Sequence, residues 1–154
     1  MKTTLFEQLT GAWTLVQLTE VPVDGGVITY PMGEKPKGLI IYNSDGYMSA
    51  QIMNPDRKNF RQEHWAGASP EEYTQEGSAY MAYSGPFHTD DEKQTVSHTM
   101  FISLFPNWTG QTQTRLVHFT DGLLHLESGQ PFVANGRLVT HKLTWKKVLN
   151  ISKQ

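Results

Sequence analysis

Residues 114–128 read TRLVHFTDGLLHLES, and the Asp121-Gly122 pair at their centre decides how the stretch folds. A two-residue type I′ hairpin turn needs positive φ at both central positions, which Asp-Gly accommodates. With that turn set, Phe119 faces Leu124, Val117 faces Leu126 and Arg115 faces Ser128. The reverse face sets His118 against His125 and Leu116 against Glu127. Strand side chains alternate strictly, so the face carrying Phe119, Val117, Leu124 and Leu126 is the buried one. Arg115 therefore points inward.

The same alternation applies upstream. A turn at Asp90-Asp91-Glu92-Lys93 sets Phe87 against Val96, Gly85 against His98, Tyr83 against Met100 and Met81 against Ile102. The other face reads Ser84, His88, Thr95, Ser97, Thr99 and Ser103, which is the wet side. Tyr83 and His98 thus join Arg115 on an otherwise apolar inner face. Pairing 96–104 with 112–119 brings Arg115 close to Met100 and within about two residues of His98, on strands roughly 4.8 Å apart. A buried arginine beside a buried histidine costs free energy unless something pairs with them. Either the fold does so or a ligand does.

Working outward, short alternating runs separated by turn residues predict strands near 12–22, 26–31, 38–43, 46–53, 80–89, 94–105, 112–120, 122–129 and 138–148. Leu39, Ile41, Met48, Ala50 and Ile52 are assigned to one face. This is an all-β pattern, with connections short enough for an antiparallel up-and-down barrel of about 8–10 strands. One short helix interrupts it. Ser69 is its N-cap, Pro70 its first residue and Glu72 completes a capping box, with the end near Gly77. The preceding polar segment, 54–68, holds Phe60, His64 and Trp65, and with the helix it reads as a lid or a plug over a barrel end. A chain of 154 residues accommodates one such domain, 1–154.

Composition narrows the function. The 13 Lys and Arg against 15 Asp and Glu are dispersed, with no basic stretch for nucleic acid or an anionic membrane. No apolar run approaches the roughly 20 residues of a membrane span, and Met1 to Glu7 lacks a signal-peptide core. The absence of cysteine excludes disulfides and thiolate chemistry and points to a cytoplasmic protein. The triplets Asn107-Trp108-Thr109 and Asn150-Ile151-Ser152 are accordingly read as chance glycosylation matches. His118 and His125 face one another on the outer side, but no close third ligand completes a set, so no metal site is assigned. Phosphate loops, nucleophile elbows and calcium loops are missing, and no cofactor is expected.

Several segments resemble the lipocalin-like domains of bacteria and fungi, a group largely without assigned function. They are Leu9-Thr10-Gly11-Ala12-Trp13, Tyr30-Pro31-Met32-Gly33, Pro36-Lys37-Gly38-Leu39-Ile40-Ile41-Tyr42 and Asp45-Gly46-Tyr47-Met48-Ser49-Ala50-Gln51. Further along come Ala82-Tyr83-Ser84-Gly85-Pro86-Phe87, Phe105-Pro106-Asn107-Trp108-Thr109-Gly110, Gln113-Thr114-Arg115 and Leu143-Thr144-Trp145. The resemblance runs nearly end to end and implies a small barrel with an internal cavity. It names neither ligand nor reaction, since fold does not fix function. In such barrels a tryptophan like Trp13 closes the floor, often with an arginine packed across it, so Arg115 is either that cation–π plug or an anchor for a ligand anion.

The expected function is binding of a small, mostly hydrophobic or amphipathic molecule carrying an anionic or carbonyl group. Tyr83, His98, Met100, Ile102, Trp108, Arg115 and Val117 are the candidate ligand-binding residues, with Met81 and Phe119 completing the wall. The alternative is an isomerase or cyclase in which Arg115 stabilises negative charge and His98 or Tyr83 moves a proton. A filled barrel acting through its surface or as a homodimer is the third reading.

Overall fold

The computed structural model describes residues 1–149; the Asn150-Ile151-Ser152 triplet lies outside them. Eight antiparallel strands close the barrel: β1 (Gly11–Pro22), β2 (Lys37–Tyr42), β3 (Tyr47–Met53), β4 (Tyr80–Asp90), β5 (Thr95–Thr99), β7 (Thr112–Thr120), β8 (Leu123–Ser128) and β10 (Arg137–Lys147). Each pairs with the next and β10 returns to β1, so no edge is left open. Two short strands lie off this path, β6 (Ile102–Ser103) beside β4 and β9 (Phe132–Ala134) beside β10. The fold is the all-β up-and-down barrel expected.

The 114–128 hairpin has the anticipated register, with Arg115 opposite Ser128 and Phe119 opposite Leu124. Asp121 and Gly122 supply the positive φ values, 53° and 77°. Elsewhere four expectations fail for local reasons. Segment 26–31 forms no strand; Asp24 accepts from the Gly26 N–H at 3.0 Å in a tight turn, and only an isolated Glu20–Thr29 bridge follows. In β2 the inward residues are Ile40 and Tyr42, because Ile40 pairs with Ala50 and Tyr42 with Met48. Leu39 and Ile41 face out, opposite Gln51 and Ser49.

The third correction concerns residues 94–105. Phe87 lies opposite His98, yet Ser84 lies opposite Ile102, which leaves one extra residue on the second strand. That bulge ends β5 at Thr99 and flips the parity beyond it. Ile102 consequently points to solvent at 55% exposure, and Ser103 takes the inward place beside Tyr83. Gly85 does not make room for His98 or a ligand. A β-carbon there would overlap the Thr99 carbonyl oxygen, so this glycine admits the bulge itself. We expect Gly85→Ala to destabilise the barrel by about 2–3 kcal/mol, the upper range of overpacking, in equilibrium urea unfolding. An unchanged midpoint would show that the bulge can move aside freely.

The fourth is an additional helix, α1 (Leu5–Leu9), capped by Thr4 and Glu7 in a reciprocal box. It buries Leu5 and Leu9 at one barrel end and stacks Phe6 on Phe87 with ring centroids 5.1 Å apart. Trp13 donates its indole N–H to the Leu9 carbonyl at 2.8 Å. Helix α2 (Pro70–Ser78) has the expected Ser69 cap and Glu72 box but buries no residue, so it is not a plug. Among the described residues no helix is long and apolar enough to cross a membrane.

Candidate functional site

In the barrel interior, Tyr42 and His98 are both 1% exposed and share a hydrogen bond of 2.7 Å between the phenol oxygen and Nε2. Tyr83 flanks the imidazole, ring centroids 6.0 Å apart. Burial, and then the Arg115 cation, push the His98 pKa down to about 3, so the ring is neutral. Burial raises both tyrosine hydroxyls above their ordinary range, against the opposing field of Arg115. Among the described residues neither His98 Nδ1 nor Ser103 Oγ finds a partner, and both residues sit beside Tyr83. Below this layer Val96, Leu124 and Trp145 fill the interior.

Arg115 is half-buried on β7, directly opposite Val96 of β5. Its guanidinium donates to Gln113 Oε1 at 2.7 Å, and no carboxylate among the described residues pairs with it. The cation–π role over Trp13 belongs instead to Lys147, whose Nζ lies 4.4 Å from the ring centre and donates to the Thr10 carbonyl. This corrects the plug reading of Arg115. The bulge beyond Leu15 and the closure of β1 on β10 bring Lys147 opposite Trp13.

Arg115 opens onto a cleft of about 670 Å³ at the barrel rim, also lined by Trp108, Gln113, Ser128, Phe132 and His141. That volume lies within the roughly 300–1,000 Å³ typical of small-molecule sites. Trp108, on a single 3₁₀ turn, packs edge-on against Tyr83 and Phe105 and so joins the buried layer to the rim. Of the residues singled out from sequence, Arg115 and Trp108 line the cleft. Tyr83, His98, Met100 and Val117 are buried in the core, with Met81 and Phe119 packed partly buried against it. Ile102 is outside. Segment 54–77 contributes nothing to the cleft lining.

Sequence reasoning missed Tyr42, Glu20 and His141. His141 was within reach, since it shares parity with Leu143 and Trp145 on β10. Glu20 was hidden by the β1 bulge between Leu15 and Gln17, which turns it inward against His141. His118 and His125 stack on the outer face with centroids 4.6 Å apart.

A closed eight-stranded barrel with a polar cluster inside and a cleft at its rim defines a lipocalin-like binding scaffold. The chain belongs to the lipocalin-like domain family, whose model matches residues 10–148. It is also 34% identical over 107 residues to the 4'-hydroxy-3'-methoxypropiophenone carrier protein ppsC of Aspergillus oryzae (strain ATCC 42149 / RIB 40). That alignment covers 66% of this chain and 96% of the relative.

Proposed function

We propose that this barrel binds a small, mostly apolar molecule with an anionic or carbonyl oxygen, seated in the rim cleft against Arg115. One observation carries the reading: an inward-facing guanidinium that pairs with no carboxylate among the described residues stands at the wall of a cleft of ligand size. A partly desolvated cation gains most when an oxygen acceptor occupies its free N–H groups. Trp108 and Phe132, both in the lining, supply flat apolar contact. The likeness to a carrier of an aryl ketone supports the same class of ligand.

The residues beneath the cleft play a supporting part. The neutral Tyr42–His98 pair and Tyr83 form a polar floor, and Met100 and Val117 hold it in place. Calorimetric titration with 4-hydroxypropiophenone, alongside thermal unfolding, tests this directly. Saturable heat and a Tm that rises with ligand concentration are expected. A flat titration and a fixed Tm across aryl ketones and aryl carboxylates would sink the reading.

A further inference from the structure

The same cleft holds a second device, on the same wall as Arg115 and on the other side of Ser128. His141 projects inward from β10 and its Nε2 lies 2.9 Å from Glu20 Oε2, on β1. Glu20 is 8% exposed, and its other oxygen accepts from Thr29 Oγ1 at 3.3 Å. An ionised carboxylate only accepts, so the shared proton belongs to Nε2 and the lone pair of the ring to Nδ1. No group among the described residues bonds that Nδ1. Phe132 meets the ring edge-on with centroids 4.6 Å apart, and the His141 backbone N–H donates to Ser128 Oγ at 2.9 Å. Ser128 is in turn the cross-strand neighbour of Arg115. The imidazole is thus held by its Glu20 bond, its aromatic neighbour and its own backbone.

The charged and titratable groups around His141 are Glu20 from β1 and Arg115 from β7; β8 and β9 contribute only Ser128 and Phe132. Burial lowers the His141 pKa, Glu20 opposes this, and Arg115 adds to it. At neutral pH the cleft therefore presents an uncharged base and a guanidinium that no carboxylate among the described residues balances. Those two groups complement the two products of ionising a hydroxyl.

We propose that the cleft recognises an acidic hydroxyl, a phenol or an enol, and binds it as the oxyanion. The O–H bond breaks with its electron pair left on oxygen facing Arg115. The proton passes to His141 Nδ1, and the resulting imidazolium is balanced by Glu20. The net charge of site plus ligand does not change, and no other reactant is needed. This inference rests on the binding function proposed above and narrows its ligand class. His141 and Glu20 select for acidity, where Arg115 alone would accept any carbonyl or anion.

The test uses 4-hydroxypropiophenone and its methyl ether, 4-methoxypropiophenone, at a pH where the free phenol is neutral. Calorimetry reads affinity and the ultraviolet difference spectrum reads ionisation. The parent is expected to show the red-shifted phenolate band on binding and to hold the ether at least about tenfold more weakly, the scale of a lost charged hydrogen bond. In His141→Gln the band should vanish and the preference for the phenol collapse. A bound phenol with an unshifted spectrum, equal affinity for the ether, or a phenolate band that survives in His141→Gln overturns the proton role while binding itself stands. If the parent binds neither compound, the binding function falls and this inference with it. The comparison of ether and phenol on the parent needs no variant, so a misfolded His141→Gln does not weaken it.

Discussion

His98→Gln should flatten the acid limb of the stability curve. In the folded barrel His98 is neutral, with its pKa near 3, while in the unfolded chain it titrates near 6.5. The depressed value means that its contribution is fully present above pH 6.5 and is lost as pH falls toward 3, because only the unfolded state takes up the proton. Across that window the folding equilibrium weakens close to tenfold per pH unit, up to about 5 kcal/mol in all. The amide of glutamine can still meet the Tyr42 hydroxyl, so the variant should stay within about 2 kcal/mol of the parent at neutral pH. Glu72 and Asp90, whose backbone hydrogen bonds hold their carboxyls below ordinary values of 4.5 and 3.8, act chiefly at the acid end of the window, so its upper part belongs to histidines. His141 and His125, also lowered, give the variant its residual slope. Urea midpoints for parent and variant at pH 7, 6, 5 and 4 measure the difference. Parallel curves would mean that water reaches His98 in the folded state.

How far this site could be read from sequence depended on parity. Where a hairpin had an unambiguous turn, as at Asp121-Gly122, every facing residue from Arg115 to Ser128 followed. Where a bulge added a residue, everything beyond it changed sides. The bulge after Thr99 exchanged Ile102 for Ser103, and the one after Leu15 turned Glu20 inward. Nothing in the sequence marks either bulge except Gly85, which reads equally well as space for a ligand. In β2 the run Leu39-Ile40-Ile41-Tyr42 is apolar on both faces, so alternation could not choose between them, and Tyr42 went unnoticed.

Short elements failed for a different reason. Thr4-Leu5-Phe6-Glu7 carries the same capping pattern as Ser69-Pro70-Glu71-Glu72, but five residues show no helical periodicity to confirm it. Asn135-Gly136 is a hairpin turn with φ of 50° and 76°, yet the flanking β9 has only three residues. The cleft was illegible altogether. It is assembled from the start of β7, the last residue of β8, the first of β9 and the middle of β10, and such convergence depends on strand tilt and closure rather than on any local pattern.

Arg115→Met should abolish the preference for an anionic or oxyanionic ligand without unfolding the barrel. The guanidinium makes its bonds to Gln113 Oε1 and the Thr114 carbonyl, and no ion pair among the described residues is lost with it. Stability at neutral pH should therefore move by less than about 1 kcal/mol. Affinity for an aryl carboxylate should fall by about 30-fold or more, the loss of a charge-assisted, two-pronged contact in a partly dry site. A neutral ligand of the same shape should lose much less. Arg115→Lys keeps the charge but not the planar fork, and should land between the two.

A second readout separates a binding role from a packing role. Arg115 is one of the two causes that lower the His98 pKa, so its removal lets that pKa rise toward its ordinary value. Folded and unfolded values then lie closer together, and acid destabilisation should begin as before near pH 6.5 but end sooner and be smaller. If Arg115→Met binds an aryl carboxylate as well as the parent does, the anchoring role is wrong, whatever happens to the acid limb. If binding is lost and the acid limb also softens, one guanidinium both receives the ligand and sets the electrostatic level of the floor beneath it. An incoming anion would then offset the field that keeps His98 neutral. Occupancy of the cleft and protonation of the core would be linked through Arg115: a ligand that stays anionic raises the folded His98 pKa, shrinks the acid destabilisation, and should protect the barrel more as pH falls through that titration.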